Sequence, residues 1–246
     1  MPEAIVDRPL AMRIRNGVFA SLAAALPLAA VLLITAGLTP GGTWIWPSGL
    51  WFVGIYGAIS LTANLALAVF RPANFKTRQQ AVVATRERRQ PLIDAVGTGF
   101  LIVYWLAWLA FIPIDVFHLH LAPRPSAAIS AVGGACALLG LVVGQLAVWE
   151  NAFATPNVQD QSDRGQTVID SGVYGLIRHP IYAGNLLLFG GMALWLGSTA
   201  AFIGVGVILA GTIARIAIEE GQLRASLPGY ADYARRVRGR LIPFVL

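Results

Sequence analysis

Long apolar runs separated by polar segments dominate this chain. A helix needs roughly 20 apolar residues to cross the hydrocarbon core of a bilayer. Five of the six runs reach that length, the fifth run is shorter, and the last two are closely spaced. The runs cover residues 18–38, 50–70, 95–116, 127–149, 181–196 and 199–218. The pattern predicts an all-α fold, a polytopic transmembrane bundle of about six helices.

The last two apolar runs are separated by Gly197 and Ser198 alone, which predicts a tight helical hairpin. Beyond the hairpin, apolar residues recur every three or four positions in a basic tail, a pattern typical of an amphipathic helix. We therefore expect one membrane domain over residues 1–246. Residues 1–149 supply four helices and a loop at 71–93, and residues 150–246 supply the last helices and a cytoplasmic helical tail.

Composition places the chain in a membrane. Hydrophobic residues make up 57% of it and charged residues 12%, whereas soluble domains average about 25% charged residues. The first apolar run is too long for a signal-peptide core and has no clear cleavage site of small residues after it, so we expect it to be retained as a helix.

The basic residues are unevenly distributed among the polar segments. They lie in the amino-terminal tail, the 71–93 loop, the 150–180 loop and the carboxyl-terminal tail, whereas 39–49 has none and 117–126 has only Arg124. By the positive-inside rule both termini are predicted to be cytoplasmic. Orientation and contact with anionic membrane lipids account for the net charge of +6. The charge is therefore no indication of a nucleic-acid partner. The composition, rich in Ala, Gly and Arg, favours a bacterial inner membrane.

Few residues in the sequence are suited to metal binding. Cys136 is the sole cysteine, which excludes a disulfide within the chain and a site made of several cysteines. His118 and His120 form a His-x-His pair, and Asp115 is the one further candidate ligand close by in sequence. We interpret the pair as exposed loop residues and predict no metal centre.

Two polar clusters stand out at the ends of the last two apolar runs. The segment 178–184, RHPIYAG, opens the fifth run, and Arg215, Glu219 and Glu220 close the sixth. Pro180 is suited to the first turn of a helix, and Tyr182 lies one turn after His179 on the same face. Because such groups are costly to bury in a membrane, the clusters indicate a functional site at one membrane face.

Both clusters belong to a longer pattern. The segment 149–246, the last two fifths of the chain, resembles the isoprenylcysteine carboxyl methyltransferase family and the related phospholipid methyltransferases. The residues that carry the resemblance are Gly172, Val173, Tyr174, the segment 178–184, Arg215, Glu219, Glu220, Leu223, Gly229, Tyr230, Tyr233, Val237, Ile242, Pro243 and Phe244. Their order and spacing are similar to the family's Arg-His-Pro-x-Tyr-x-Gly and Glu-Glu…Gly-x-x-Tyr-x-x-Tyr…Ile-Pro pattern.

The resemblance implies an integral membrane methyltransferase that uses S-adenosylmethionine, bound at the cytoplasmic ends of the final helices. Carried over residue by residue, it implies cofactor contacts from Tyr174, Arg178, His179, Tyr182, Gly184, Glu219 and Glu220. It implies catalytic roles for Arg215 and Glu219, with Arg215 positioning the acidic group of the acceptor while paired with a glutamate. The acceptor is expected to be a lipophilic or lipid-modified carboxylate, which needs no general base.

Other interpretations of the same residues remain open. N-methylation of a phospholipid amine is the nearest alternative. NADPH-dependent membrane sterol reductases share a similar motif, but Ile181 and Asn185 depart from their Asn and Glu; a non-catalytic membrane scaffold is a third possibility. Arg215 and Glu219 can instead be a neutralising pair, and one of the two glutamates can face the cytoplasm. Tyr230 and Tyr233 are expected to pack, and Arg240 can reach either headgroups or the site.

Overall fold

The computed structural model describes residues 9–78, 92–153 and 166–243, and these residues are mainly helical. The helices are α1 Leu10–Leu38, α2 Pro47–Phe70, α3 Leu92–Ile114, α4 Ala127–Glu150, α5 Pro180–Leu196, α6 Thr199–Ser226 and α7 Tyr230–Arg236. Shorter helical pieces are residues 72–78, a π-helical turn at Asp115–Leu119 that continues α3, and a 3₁₀ turn at Gly172–Gly175. The predicted all-α membrane fold is confirmed.

Five helical segments in the described ranges are long and apolar enough to cross a membrane. They are α1, α2, Ile102–Leu119, α4 and α6. Helix α5 is apolar but has 17 residues, about 25 Å at 1.5 Å per residue, which is the lower limit for a crossing. Helices α1 and α6 extend beyond the predicted apolar runs, to Leu10 and Ser226. A helix makes its backbone hydrogen bonds within itself, so these polar ends can stay helical beyond the hydrocarbon core.

Helices α4 and α5 approach each other closely at glycines. A Cβ added to Gly184 would lie 2.7 Å from the carbonyl oxygen of Gly140, and one added to Gly191 would lie 2.4 Å from that of Gly133. Backbones this close leave no space for larger side chains, and small residues permit this packing in membranes. Helix α5, which begins with the 178–184 motif, is therefore held firmly against α4.

The α5–α6 hairpin is closed by two residues, as predicted. Gly197 takes a positive φ of 98° and ends α5, and the hydroxyl of Ser198 accepts a hydrogen bond of 2.9 Å from the backbone N–H of Ala201 to cap α6. Ser198 also donates to the buried carboxylate of Asp115 at 2.6 Å. Since α5 and α6 are antiparallel, the start of α5 and the end of α6 lie together at the other end of the bundle, hereafter the site end.

The two loop histidines lie at the hairpin end, opposite the site end. His118 and His120 are exposed, and Nδ1 of His120 lies 3.0 Å from the carbonyl oxygen of His118. Among the residues that the structure describes, no three His, Cys, Asp or Glu side chains are grouped in a way that could hold a metal ion.

Candidate active site

The first turn of α5 presents His179 and Tyr182 on one face. Pro180 occupies the first helical position, where its missing N–H costs no hydrogen bond. The rings of His179 and Tyr182 are stacked, with centroids 5.7 Å apart and planes inclined by 29°. This stacking follows from the spacing of one helical turn and fixes the direction of the Tyr182 hydroxyl toward α6.

Tyr182 joins two charged residues of α6. Its hydroxyl donates a hydrogen bond of 2.8 Å to Oε2 of Glu219 and accepts one of 2.9 Å from Nε of Arg215. All three side chains are half-buried. We call these three residues the Tyr182 network. It brings a carboxylate, a guanidinium and an aromatic ring together at the site end of the hairpin.

Glu220, adjacent to Glu219, lies in a different environment. Its side chain is 2% exposed, and Oε1 accepts a hydrogen bond of 2.7 Å from Nε of Arg178 and lies 3.2 Å from Nε2 of His179. Oε2 lies 3.0 Å from Nη2 of Arg224 and 3.5 Å from Nε of Arg240. We call this group the Glu220 cluster. Because a buried carboxylate needs partners of opposite charge, the cluster explains how Glu220 can be buried at all.

Arg178 connects the Glu220 cluster to the end of α7. Its Nη1 donates to the carbonyl oxygens of Val237 at 2.6 Å, Arg238 at 3.0 Å and Ala234 at 3.3 Å. These carbonyls lie in the last turn of α7 or just beyond it, where backbone acceptors have no partner within the helix. The guanidinium therefore acts as a carboxyl-terminal cap for α7 while it pairs with Glu220.

The backbone before α5 also pairs with the tail. The N–H of Arg178 donates to the carbonyl oxygen of Gly239, and that of His179 to the carbonyl oxygen of Arg240, both at 2.9 Å. These hydrogen bonds bring Arg240 to the Glu220 cluster. Arg240 thus lies at the edge of the Glu220 cluster, with a side chain that is 47% exposed.

Tyr174 lies in the 3₁₀ turn ahead of the motif and is buried. The hydroxyl of Tyr233 donates a hydrogen bond of 2.8 Å to the backbone carbonyl of Tyr174, so α7 holds the turn in place. Burial raises the pKa of the Tyr174 hydroxyl to about 12, against the opposing effect of a hydrogen bond with Asn151. Tyr174 therefore stays neutral at physiological pH. Burial also lowers the pKa of Arg78, whose charge lies within electrostatic range of Tyr174.

The tail packs against the protein through its apolar face. Tyr230, Tyr233 and Val237 are buried and pack with Val168 and Leu223, among others. The two tyrosine rings meet edge to face, with centroids 5.7 Å apart. This agrees with the expectation that both tyrosines are packing residues.

The structure brings most of the predicted site residues together but divides them between two groups. Arg178, His179 and Glu220 form the Glu220 cluster, and Tyr182, Arg215 and Glu219 form the Tyr182 network; all of them lie at the site end. Tyr174 is bonded through Tyr233 to α7, and the carbonyl of Val237 that ends α7 accepts from Arg178. Gly184 is the exception, because its open Cα side faces the backbone of α4 at Gly140 and Gly144. Packing accounts for that glycine, and the cofactor contacts themselves remain predictions.

Sequence reasoning missed two residues that the structure places at or beside the site, Arg224 and Arg78. Arg224 pairs with Glu220 four residues earlier on α6, a spacing that favours such pairs and could have revealed it. Arg78 approaches Tyr174 from a segment distant in sequence. No local pattern marks it, since its proximity to Tyr174 depends on how the segment after α2 packs.

Comparison with known proteins supports a methyltransferase. Residues 128–227, from the start of α4 to just beyond α6, match the phospholipid methyltransferase family. No curated protein matches the chain. Among solved structures, the eukaryotic intramembrane Ras methyltransferase ICMT (isoprenylcysteine carboxyl methyltransferase) aligns over 92% of this chain and 77% of its own, with 21% identity and a TM-score of 0.49. The predicted resemblance is confirmed over the matched residues.

Proposed function

We propose that this chain is an integral membrane methyltransferase that uses S-adenosylmethionine to methylate a carboxylate on a lipophilic or lipid-modified acceptor. The observation that carries the proposal is that the family match covers α4 to α6, and α5 and α6 supply the Tyr182 network. Its hydrogen bonds of 2.8 and 2.9 Å hold an acid and a guanidinium around one tyrosine.

The residues present fit the chemistry of this cofactor. Of the two glutamates, Glu219 is half-buried, whereas Glu220 already has three arginines and His179 as neighbours. We therefore assign Glu219 to the ammonium or ribose hydroxyls of the cofactor. The ring of Tyr182 can face a sulfonium cation. When bound, the cofactor supplies an electrophilic methyl group.

Arg215 is assigned to the acceptor. Nε of Arg215 is oriented by its 2.9 Å hydrogen bond to the Tyr182 hydroxyl, and a guanidinium pairs with a carboxylate through parallel hydrogen bonds. A carboxylate held in this way needs no general base. The contribution of the protein is then alignment of the reacting groups and exclusion of water. This division of roles explains why no nucleophile with its own base is needed.

Binding measurements test the cofactor assignment. Protein purified in detergent should give heat by isothermal titration calorimetry with S-adenosylmethionine and with its demethylated product, S-adenosylhomocysteine, and none with NADPH. Heat with NADPH alone would overturn the proposal in favour of a reductase. Heat with none of the three would favour a non-catalytic scaffold.

N-methylation of a phospholipid amine is the second candidate, and the name of the matched family favours it. The two reactions can be separated by the stability of their products. Membrane lipids are incubated with the protein and a methyl donor that carries a radiolabelled methyl group. A carboxyl methyl ester releases its label as methanol in mild base, whereas an N-methyl amine retains it. We expect base-labile label, and base-stable label would select the amine reaction.

A further inference from the structure

An apolar groove lies at the hairpin end of the bundle, away from the site end. Its volume is about 850 Å³, within the range of roughly 300–1,000 Å³ typical of ligand sites. The residues that line it come from α2, from the segment 116–131 and from the ends of α4 and α5. They include Trp46, Ile55, Phe117, Leu138 and Trp195. A groove of this lining within a bilayer favours a hydrocarbon occupant over water.

One cation lies along this groove. Arg124 is the sole Lys or Arg between residues 115 and 126, and 39–49 has none. The positive-inside rule gives Arg124 no role in orientation, since basic residues concentrate on the opposite side. Arg124 is exposed and lines the groove, so its charge is placed to pair with an anionic group.

The loop that carries Arg124 is fixed on several sides. Nη2 of Arg124 donates to the carbonyl oxygen of Val116. The carbonyl oxygen of Pro123 accepts a hydrogen bond of 2.7 Å from the hydroxyl of Thr199. The N–H of Leu121 donates a hydrogen bond of 2.9 Å to the carboxylate of Asp115. The guanidinium is thus positioned before any ligand arrives, which lowers the entropy cost of binding.

We propose that the groove binds one acyl chain of an anionic phospholipid and that Arg124 holds its phosphate. Ala127, Ala131, Ala135 and Leu138 line the groove along one face of α4. From Ala127 to Leu138 this face extends about 16 Å into the membrane. An acyl chain lies along that face while its phosphate stays at the level of Arg124, since guanidinium is well suited to phosphate oxygens.

This lipid is distinct from the acceptor of the proposed reaction. The groove and the Tyr182 network lie at opposite ends of α5. Trp195, near the end of α5, lines the groove, whereas Tyr182 lies in the first turn of α5. The separation along the helix is about 20 Å. The inference therefore stands independently of the proposed function, and its test requires no methyl transfer.

Native mass spectrometry tests the headgroup contact. Protein in detergent is incubated with equal amounts of phosphatidylglycerol and phosphatidylcholine of the same chain length. The wild type should retain one phosphatidylglycerol in preference to phosphatidylcholine, and Arg124→Gln should lower that preference about fivefold, the equivalent of about 1 kcal/mol per basic residue. Arg236→Gln is the matched control, because Arg236 is an exposed arginine at the site end, and it should retain the preference. A wild type without bound phosphatidylglycerol, or an unchanged preference in Arg124→Gln, would overturn the proposal.

A second pair of variants tests the chain-binding part. Ala135→Phe fills the groove and should abolish retention of both lipids. Val132→Phe adds a ring to the same helix at an exposed position outside the groove and should retain them. Retention by Ala135→Phe would show that the groove is not the site. Excess inorganic phosphate should leave the lipid bound; displacement would mean that the charge alone, without the groove, accounts for binding.

Discussion

At the scale of single residues, the neighbouring glutamates of α6 have different roles. Glu220 is 2% exposed and contacts Arg178, His179 and Arg224 within 3.2 Å. Glu219 is half-buried and bonds to the hydroxyl of Tyr182. One acid therefore holds the tail and the start of α5 in place, and the other is the acid to which the proposed function assigns the cofactor. A structural acid and a chemical acid should respond differently to substitution.

Glu220→Ala should destabilise the protein strongly. Removal of one partner leaves buried Arg178 uncompensated, a change that costs about 3–5 kcal/mol in proteins. The midpoint of thermal unfolding in detergent measures the effect. Asp170→Ala is the control, because it breaks the exposed pair with Arg236 and should cost less than about 1 kcal/mol. Equal losses in the two variants would contradict a structural role for Glu220.

Tyr182→Phe should weaken cofactor binding without unfolding the protein. The substitution removes the hydroxyl that connects Arg215 and Glu219, and hydrogen bonds to charged groups contribute about 1.5–3 kcal/mol. We expect affinity for S-adenosylmethionine to fall roughly tenfold by calorimetry. Tyr104→Phe removes a comparable 2.8 Å hydrogen bond, to the carbonyl oxygen of Gly204, and should leave affinity unchanged. A similar loss in both would indicate a general effect on packing.

The sequence predicts which residues meet at the site but not how they divide between the Glu220 cluster and the Tyr182 network. The motif 178–184 and the α6 acids are recognisable because polar groups at the ends of apolar helices are unusual. Which glutamate is buried depends on where the tail docks, and the carbonyl oxygens of Val237 and Arg238 that receive Arg178 leave no signal in the sequence. Contacts of this kind between distant segments cannot be read from local spacing.

At the scale of helices, the α4–α5 contact places the motif. A Cβ on Gly140 would lie 2.4 Å from the carbonyl oxygen of Gly184 and 2.5 Å from the nitrogen of Leu188, whereas one on Gly144 would meet nothing within 4 Å. Gly140→Ala should therefore force the helices apart and destabilise the protein by about 1–3 kcal/mol. Gly144→Ala, one turn further along, should be neutral or slightly stabilising, because Ala favours a helix over Gly. Thermal unfolding of both variants measures the difference, and equal midpoints would contradict the packing role.

Helix positions follow from the apolar pattern, and helix ends do not. The predicted runs 50–70 and 127–149 agree with the observed bounds Pro47–Phe70 and Ala127–Glu150 to within three residues. The sixth apolar run ends at residue 218, whereas helix α6 continues to Ser226. The apolar run marks where lipid contact ends, whereas the helix continues because Glu220 and Arg224 are stabilised by each other and by the tail.

At the scale of the whole molecule, the site is assembled from three separate segments. Residues 178–182, residues 215–224 and the tail at 237–240 meet through the Glu220 cluster, the Tyr182 network and the backbone pairing of Arg178 with Gly239. The first two segments lie together because α5 and α6 are antiparallel. The third requires α6 to end and the chain to turn at Gly229, where φ is 82°. The orientation of this assembly in the membrane decides which compartment would supply the proposed cofactor.

Cysteine labelling tests the orientation, with the site end predicted to be cytoplasmic. In a Cys136→Ala background, Arg236→Cys places a thiol at an exposed position of the site end and His118→Cys places one at the hairpin end. Three helices, α4, α5 and α6, separate the two positions, so they should lie on opposite sides of the membrane if α5 crosses it.

Because the tail carries five arginines after residue 220, position 236 should face the cytoplasm. A membrane-impermeant maleimide should then label position 118 in intact cells and position 236 in inverted vesicles. The reverse pattern would contradict the orientation, and labelling of both from one side would mean that the 17 residues of α5 do not cross.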